Sequence, residues 1–181
     1  MDVRFWPDDG PRLRKDAGVQ PLACSMQSFQ LVGLSPEPFK PLFELGDAAL
    51  AKLHARRVVS TRKPGLPCRI SLEDAEIGDE LLLLPYTHQP AASPYQASGP
   101  IYVRRGSKQR RLAAGELPSY VTSRLISVRA YDSAHMIVAA SVCEGVLAAG
   151  EIEQCFENEL VAYIHLHNAK RGCFSCQVNR A

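Results

Sequence analysis

The sequence predicts an α+β fold: a single domain on a largely antiparallel, curved sheet with a few short helices. Two observations carry this. Short runs of alternating apolar and polar residues recur along the chain between turn-forming residues, and two neighbouring pairs of such runs are joined closely enough to be hairpins. The clearest helical spacing, Ile152, Cys155 and Phe156 within Glu151 to Glu159, is confined to one short segment. At 181 residues, with 46% hydrophobic and 22% charged content, the chain is long enough to bury one good core.

Residues 1 to 25 hold Pro7, Asp8, Asp9, Gly10, Pro11 and a mixed-charge run from Arg12 to Asp16, with neither helical nor strand periodicity. They predict a disordered or draped extension on a domain spanning 26 to 181, with Phe5 and Trp6 as the aromatic pair that would anchor it. Phe29, Leu31 and Gly33 alternate with polar neighbours as a first strand. Ser35 followed by Pro36 predicts a capped short helix through Phe39, Leu42 and Phe43, and Asp47 caps a second through Leu50 and Leu53. Val58 and Val59 mark a short strand, and Lys63 to Pro67 a turn. Cys68, Ile70 and Leu72, alternating with Arg69, Ser71 and Glu73, predict another strand. Asp79 to Tyr86 reads as a buried strand, Thr87 to Pro100 as a long loop, and Ile101 to Arg105 as a strand. Arg124 to Asp132 and His135 to Cys143 form a hairpin through Asp132-Ser133-Ala134.

The chain ends in a second hairpin. If Leu160, Ala162, Ile164 and Leu166 face the core, strand parity places Val161, Tyr163, His165 and His167 together on the opposite face. After the turn Asn168 to Gly172, Phe174, Cys176 and Val178 form the apolar set, and Cys173, Ser175 and Gln177 point with the histidines. Parity thus separates Cys173 from Cys176 and weakens a Cys-x-x-Cys metal knuckle. His165, His167 and Cys173 remain as an alternative metal set.

Several function classes are disfavoured. A net charge of +2 gives no bulk attraction to nucleic acid or membrane, and the basic run Arg104 to Arg111 lacks interleaved aromatic residues after Tyr102. The apolar run Leu81 to Leu84 is far short of the roughly 18 residues a membrane span needs. No nucleotide-binding glycine loop, Gly-x-Ser-x-Gly elbow or His-Glu-x-x-His motif is present, so no cofactor is named. The first residues lack the apolar core of a secretion signal, which predicts a reduced, cytoplasmic protein.

Cys68-Arg-Ile-Ser-Leu-Glu-Asp74-Ala, Tyr86-Thr-His88-Gln-Pro90, Ser93-Pro-Tyr95-Gln-Ala-Ser98-Gly-Pro100-Ile-Tyr-Val-Arg104, Arg129-Ala-Tyr131-Asp132 and His165-Leu-His167-Asn168-Ala with Gly172-Cys173 form a specific run of motifs. Over about 26 to 180 the chain resembles the bacterial domain-of-unknown-function family numbered 1203. The resemblance implies no activity. It implies that the first 25 residues are atypical, and that Cys173 fits the family motif where Cys176 departs from it.

Off-core parity and the long loop collect Arg69, His88, Tyr95, Ser98, Arg104, Arg129, Tyr131, Asp132, His165, His167, Asn168 and Cys173 as candidate site residues. Guanidinium forks with imidazoles point to an anionic small molecule, since arginine pairs bidentately with carboxylate or phosphate. Cys173 beside His165 or His167 is the economical nucleophile, with Asp132 or Asn168 to orient the imidazole. The loop is expected to fold over the last hairpin, bringing His88 and Tyr95 to His165, His167 and Cys173 in one cleft floored by arginines. An enzyme or anion-binding domain, a metal-binding protein, and an interaction module using the hairpin tip all stay open.

With no secretion signal, all six cysteines are expected as free thiols. Titration of the denatured, unreduced protein should count six, and a lower count would contradict the reduced-compartment reading.

Overall fold

Strand pairing divides the chain between two five-stranded sheets, so the antiparallel α+β expectation holds while the single curved sheet becomes two. The computed structural model describes residues 28 to 181. The expectation for residues 1 to 25 lies outside them. Sheet A has the order β1 (Phe29–Val32), β10 (Phe174–Arg180), β9 (Tyr163–Asn168), β7 (Leu125–Tyr131), β8 (Ile137–Glu144), all antiparallel. Sheet B has the order β2 (Arg56–Val59), β5 (Glu80–Gln89), β6 (Ala97–Arg104), β3 (Pro67–Cys68), β4 (Glu73–Asp74), with the β3–β6 pair parallel. Three short helices complete the fold: α1 (Asp47–Lys52), α2 (Ser119–Thr122) and α3 (Ala148–Glu157).

Each sheet buries one face against its own apolar cluster. Ile126, Val128, Ala130, Ile164, Leu166 and Val178 of sheet A pack under Ile152 and Phe156 of α3, as the spacing of that helix predicts. Leu82, Leu84, Ile101 and Val103 of sheet B pack against Phe39, Phe43, Leu50 and Ile70.

Several local expectations are corrected. The segment after Ser35 is a turn and a 3-10 turn at Lys40–Glu44 in place of an α-helix, because Pro36, Pro38 and Pro41 withdraw amide donors that a longer helix needs. Gly46 occupies the cap position of α1 and Asp47 is its first residue. The strand expected through Leu72 stops at Cys68. Residues 69 to 72 instead form a turn, with Leu72 at φ 54°. The carbonyls of that turn are claimed elsewhere: Leu34 N–H donates to Arg69 O at 2.8 Å and Arg110 N–H to Ile70 O at 3.1 Å. Finally, half of the expected Thr87 to Pro100 loop is strand. β5 runs on to Gln89 and β6 begins at Ala97, so only residues 90 to 96 connect them. Cross-strand pairing, helped by the Thr87 and Ser98 hydroxyls at 2.8 Å, extends the hairpin through residues whose polarity resembles a loop.

Gly33 makes the 69 to 72 turn possible: a Cβ there would stand 1.9 Å from the Ile70 carbonyl oxygen. Gly33→Ala must push the turn away, an overpacking cost of about 1 to 3 kcal/mol. A drop in Tm of about 3 to 10 °C is expected for a domain of this size. An unchanged Tm by calorimetry would show that the approach is not tight.

Candidate functional site

β9 lies in the middle of sheet A, so side chains on either of its faces have neighbours from both sides. Ile164 and Leu166 enter the core under α3, and His165 and His167 take the other face, as parity predicts. On β7, Ser127 lies opposite His167, Arg129 opposite His165, and Tyr131 opposite Tyr163. On β10 the register shifts between Phe174, opposite His167, and Cys176, opposite Leu166, leaving Ser175 as the inserted residue of a β-bulge. The bulge overturns part of the parity reading. Phe174 turns its ring onto the histidine face, and Ser175 is buried on the other side, donating to the Tyr120 hydroxyl at 2.9 Å. Cys176 stays in the core, where burial pushes its thiol up to about 11.

The far end of the β5–β6 hairpin crosses this face and buries it. His88 stacks on Phe174 with ring centroids 5.1 Å apart, and lies 5.1 Å from His167 and 6.1 Å from His165. Tyr95 meets Tyr131 edge to face at 6.3 Å, and Tyr131 stacks on Tyr163 at 5.1 Å. Gln89 Nε2 donates to the Tyr163 hydroxyl at 2.6 Å, His135 Nδ1 shares a hydrogen bond with the same hydroxyl at 2.9 Å, and Ser93 Oγ donates to the His135 carbonyl at 3.2 Å. His165 and His167 are each 1% exposed as a result.

Burial governs their protonation. It holds the His165 pKa down to about 3, with the neighbouring His167 and His88 adding to the effect, and holds His167 down to about 4. Burial also lowers His88. All three imidazoles are neutral near pH 7. His167 Nδ1 lies 2.9 Å from the Gly172 carbonyl, which can only accept, so Nδ1 carries the proton and Nε2 a lone pair. That Nε2, with Nδ1 of His88 and of His165, is buried without a hydrogen-bond partner among the described residues. Three such atoms in one cluster are unusual, because each unmade bond costs about 1 to 3 kcal/mol. Among the described residues, no three His, Cys, Asp or Glu side chains are arranged to hold a metal ion, so the geometry lends no support to the set His165, His167 and Cys173.

Beside this cluster a cleft of about 830 Å³ opens between the two sheets. Its lining includes Arg56, Arg62, Arg69, Arg124, Lys170 and Arg171 against one carboxylate, Glu144. Arg69 is the unusual member. It is 2% exposed, donates through Nε to the Phe174 carbonyl at 2.8 Å and through Nη1 to the Pro67 carbonyl, and pairs with no carboxylate among the described residues. Burial pulls its pKa down from the usual arginine value. Cys173 and Asn168 line the same cleft, and Asn168 Oδ1 is buried without a partner.

The expected single cleft is therefore two adjoining parts. His88, Tyr95, Tyr131, His165 and His167 converge, with Arg129 alongside on β7, while Cys173, Asn168 and Arg69 line the basic cleft next door. Phe174 joins them, its ring among the histidines and its carbonyl on Arg69. Three expected members lie elsewhere. Arg104 is held by Asp79 at 3.0 Å and Glu73 at 3.7 Å. Ser98 pairs with Thr87 on an exposed face, and Asp132 accepts from the Met136 amide at 2.9 Å to shape the β7–β8 turn. Tyr86, Gln89, His135, Tyr163 and Phe174 belong to the cluster and were not expected in it. Of these Tyr163 carried a signal in its parity with His165, and Tyr86 and Gln89 in their place beside His88 in the segment Tyr86-Thr-His88-Gln.

A family model described as a protein of unknown function, DUF1203, matches residues 65–180. The chain belongs to this family. The DUF1203 segment contains the Arg69 turn, the β5–β6 hairpin and both strands of the last hairpin, so both parts of the site lie largely within it; β1 and β2 lie outside. Comparison with curated proteins and with solved structures gave no match. Among the described residues no helix is long and apolar enough to cross a membrane.

The depressed histidines predict a pH dependence. Between their unfolded pKa of about 6.5 and their folded values, the unfolded chain binds protons that the folded chain does not. Folding stability should thus fall as pH drops from about 6.5 toward 4, by up to about 1.4 kcal/mol per pH unit for each histidine. Urea denaturation from pH 7 to 4 measures the slope, and His165→Gln with His167→Gln should flatten it. An unaltered slope in the double variant would show that the histidines are not the source.

Proposed function

We propose that this DUF1203 chain binds an anionic small molecule in the basic cleft, with Arg69 at its floor. The carrying observation is that a buried guanidinium in a basic cavity meets no carboxylate among the described residues. A charge removed from water needs a compensating partner, and a bound carboxylate or phosphate would supply it with bidentate geometry. Arg62, Lys170 and Arg171 at the rim add attraction for the same sign of charge. Leu66, Leu83 and Tyr102 give the cleft an apolar wall, which suits a ligand with a carbon skeleton over a bare inorganic ion.

Cys173 supports the finer reading of an enzyme. An anion held at Arg69 would lie beside its thiol, which can act as a nucleophile toward an electrophilic carbon. A binding domain needs only the arginine.

Phosphate and di- and tricarboxylates, each titrated against the full chain, should raise Tm through preferential binding to the folded state, and added salt should weaken the effect. Arg62→Glu with Arg171→Glu should abolish the shift while leaving the ligand-free Tm nearly unchanged. No shift with any of these anions, or an equal shift in the double variant, would defeat the proposal. Cys173→Ser separates the branches: a binding domain keeps its shift and loses nothing, while an enzyme keeps its shift and loses turnover.

A further inference from the structure

The two sheets of the described residues have four edges, and three of them are guarded. On β1 the free side is covered by residues 110 to 115: Gly33 N–H donates to Arg110 O at 2.8 Å, Leu112 N–H to Leu31 O at 3.1 Å, and Gly115 N–H to Phe29 O at 2.8 Å. β2 is four residues long and carries Arg56 and Arg57, and β4 is the two residues Glu73 and Asp74. Covering, brevity and charge are the usual means by which an edge is kept from pairing with another chain.

Among the described residues β8 has none of these: it is eight residues long, pairs there with β7 alone, and has no charged residue from Ile137 to Cys143. A register shift opposite Ala130 and Tyr131 disturbs its start and leaves Ala139 to Glu144 as a regular edge. The exposed large apolar side chains also gather here: Met136, Val138 and Val142 on or beside the strand, and Val146 and Leu147 just after it, with Val142 at 62% exposure. The Gly145 amide donates to Arg124 O across the β7–β8 ladder, so by alternation the odd-numbered residues bond to β7 and the amides of Ala140 and Val142 point outward.

We propose that this edge is an interface with a second copy of the chain, β8 pairing antiparallel with β8 about a two-fold axis near Ser141. The strand's own side chains meet without like-charge contact in that arrangement, although α3 brings Glu151, which accepts from Ser141 Oγ at 2.6 Å, to the axis. With the axis at Ser141, Ala140 lies opposite the partner's Val142, and Ala139 opposite the partner's Cys143. Glu144, the strand's one charge, falls opposite the partner's Val138 and never beside its own copy. A parallel pairing in register would set the two glutamates side by side. Isologous antiparallel pairing also uses the same patch on both subunits and so closes without leaving a new edge.

Sedimentation of the full chain over a range of concentrations tests this. A monomer–dimer equilibrium is expected, with the dimer share rising with concentration. Val142→Pro removes an outward amide that the monomer does not use, so it should keep the circular dichroism of the parent, match its Tm at concentrations where the parent is dissociated, and sediment as a monomer. Should that variant fail to fold, hydrogen exchange on the parent decides: the Ala140 and Val142 amides should be protected at dimer concentrations and exchange freely on dilution. A parent that stays monomeric at every concentration, a Val142→Pro variant that folds and still dimerises, or edge amides whose exchange ignores concentration would each overturn the proposal.

Discussion

One inserted residue organises the site. Ser175 is the extra member of the β10 ladder, and without it Phe174 would lie on the core side of sheet A, as strict alternation requires. The bulge turns the Phe174 ring into contact with His88, His165 and His167, and leaves the Phe174 carbonyl to accept from Arg69. Phe174 thereby couples the histidine cluster to the basic cleft, and the bond from His167 Nδ1 to the Gly172 carbonyl joins the cluster to the turn that lines the cleft. Removing the bulge would move both halves at once.

The two halves solve opposite electrostatic problems. Under the β5–β6 hairpin, burial is severe enough to strip the histidines of charge, and they persist as neutral groups with unpaired nitrogens. Arginine cannot take that route, because its intrinsic pKa is too high for burial to neutralise it at physiological pH. Arg69 therefore keeps its charge in a buried position and leans on two backbone carbonyls. Arg104 shows the alternative, a guanidinium satisfied by Asp79 and Glu73 and so spent on the fold. The two arginines differ in that Arg104 is paired with carboxylates and Arg69, buried in the cleft wall, has none among the described residues.

The hairpin that covers the histidines is built from residues of mixed purpose. Gln89 and Ser93 tie it down through Tyr163 and the His135 carbonyl, and Tyr95 packs on Tyr131. These bonds are few, and they hold a hairpin end over a face that would otherwise expose two imidazoles and two phenols. The same contacts that bury the histidines thus set their protonation, which makes the position of the hairpin and the charge of the cluster one property.

Local chemistry determined a large part of this structure. Alternation placed β1, β7, β8 and β9, helical spacing placed α3, and parity put His165 and His167 on one face with Tyr163, because those patterns depend only on neighbours in the chain. The motifs from Cys68 to Cys173 were enough to identify the family. Tertiary structure decided the rest. Whether Thr87 to Pro100 was loop or strand depended on β6 supplying partners. Whether Arg69 sat on a strand or in a turn depended on Leu34 and Arg110 claiming the Arg69 and Ile70 carbonyls and on Gly33 yielding space. The side on which Phe174 fell depended on a bulge that no composition announces. Arg69 and Arg104 are alike as residues, and only the placement of carboxylates from distant segments separates the one that holds the fold from the one left facing the cleft.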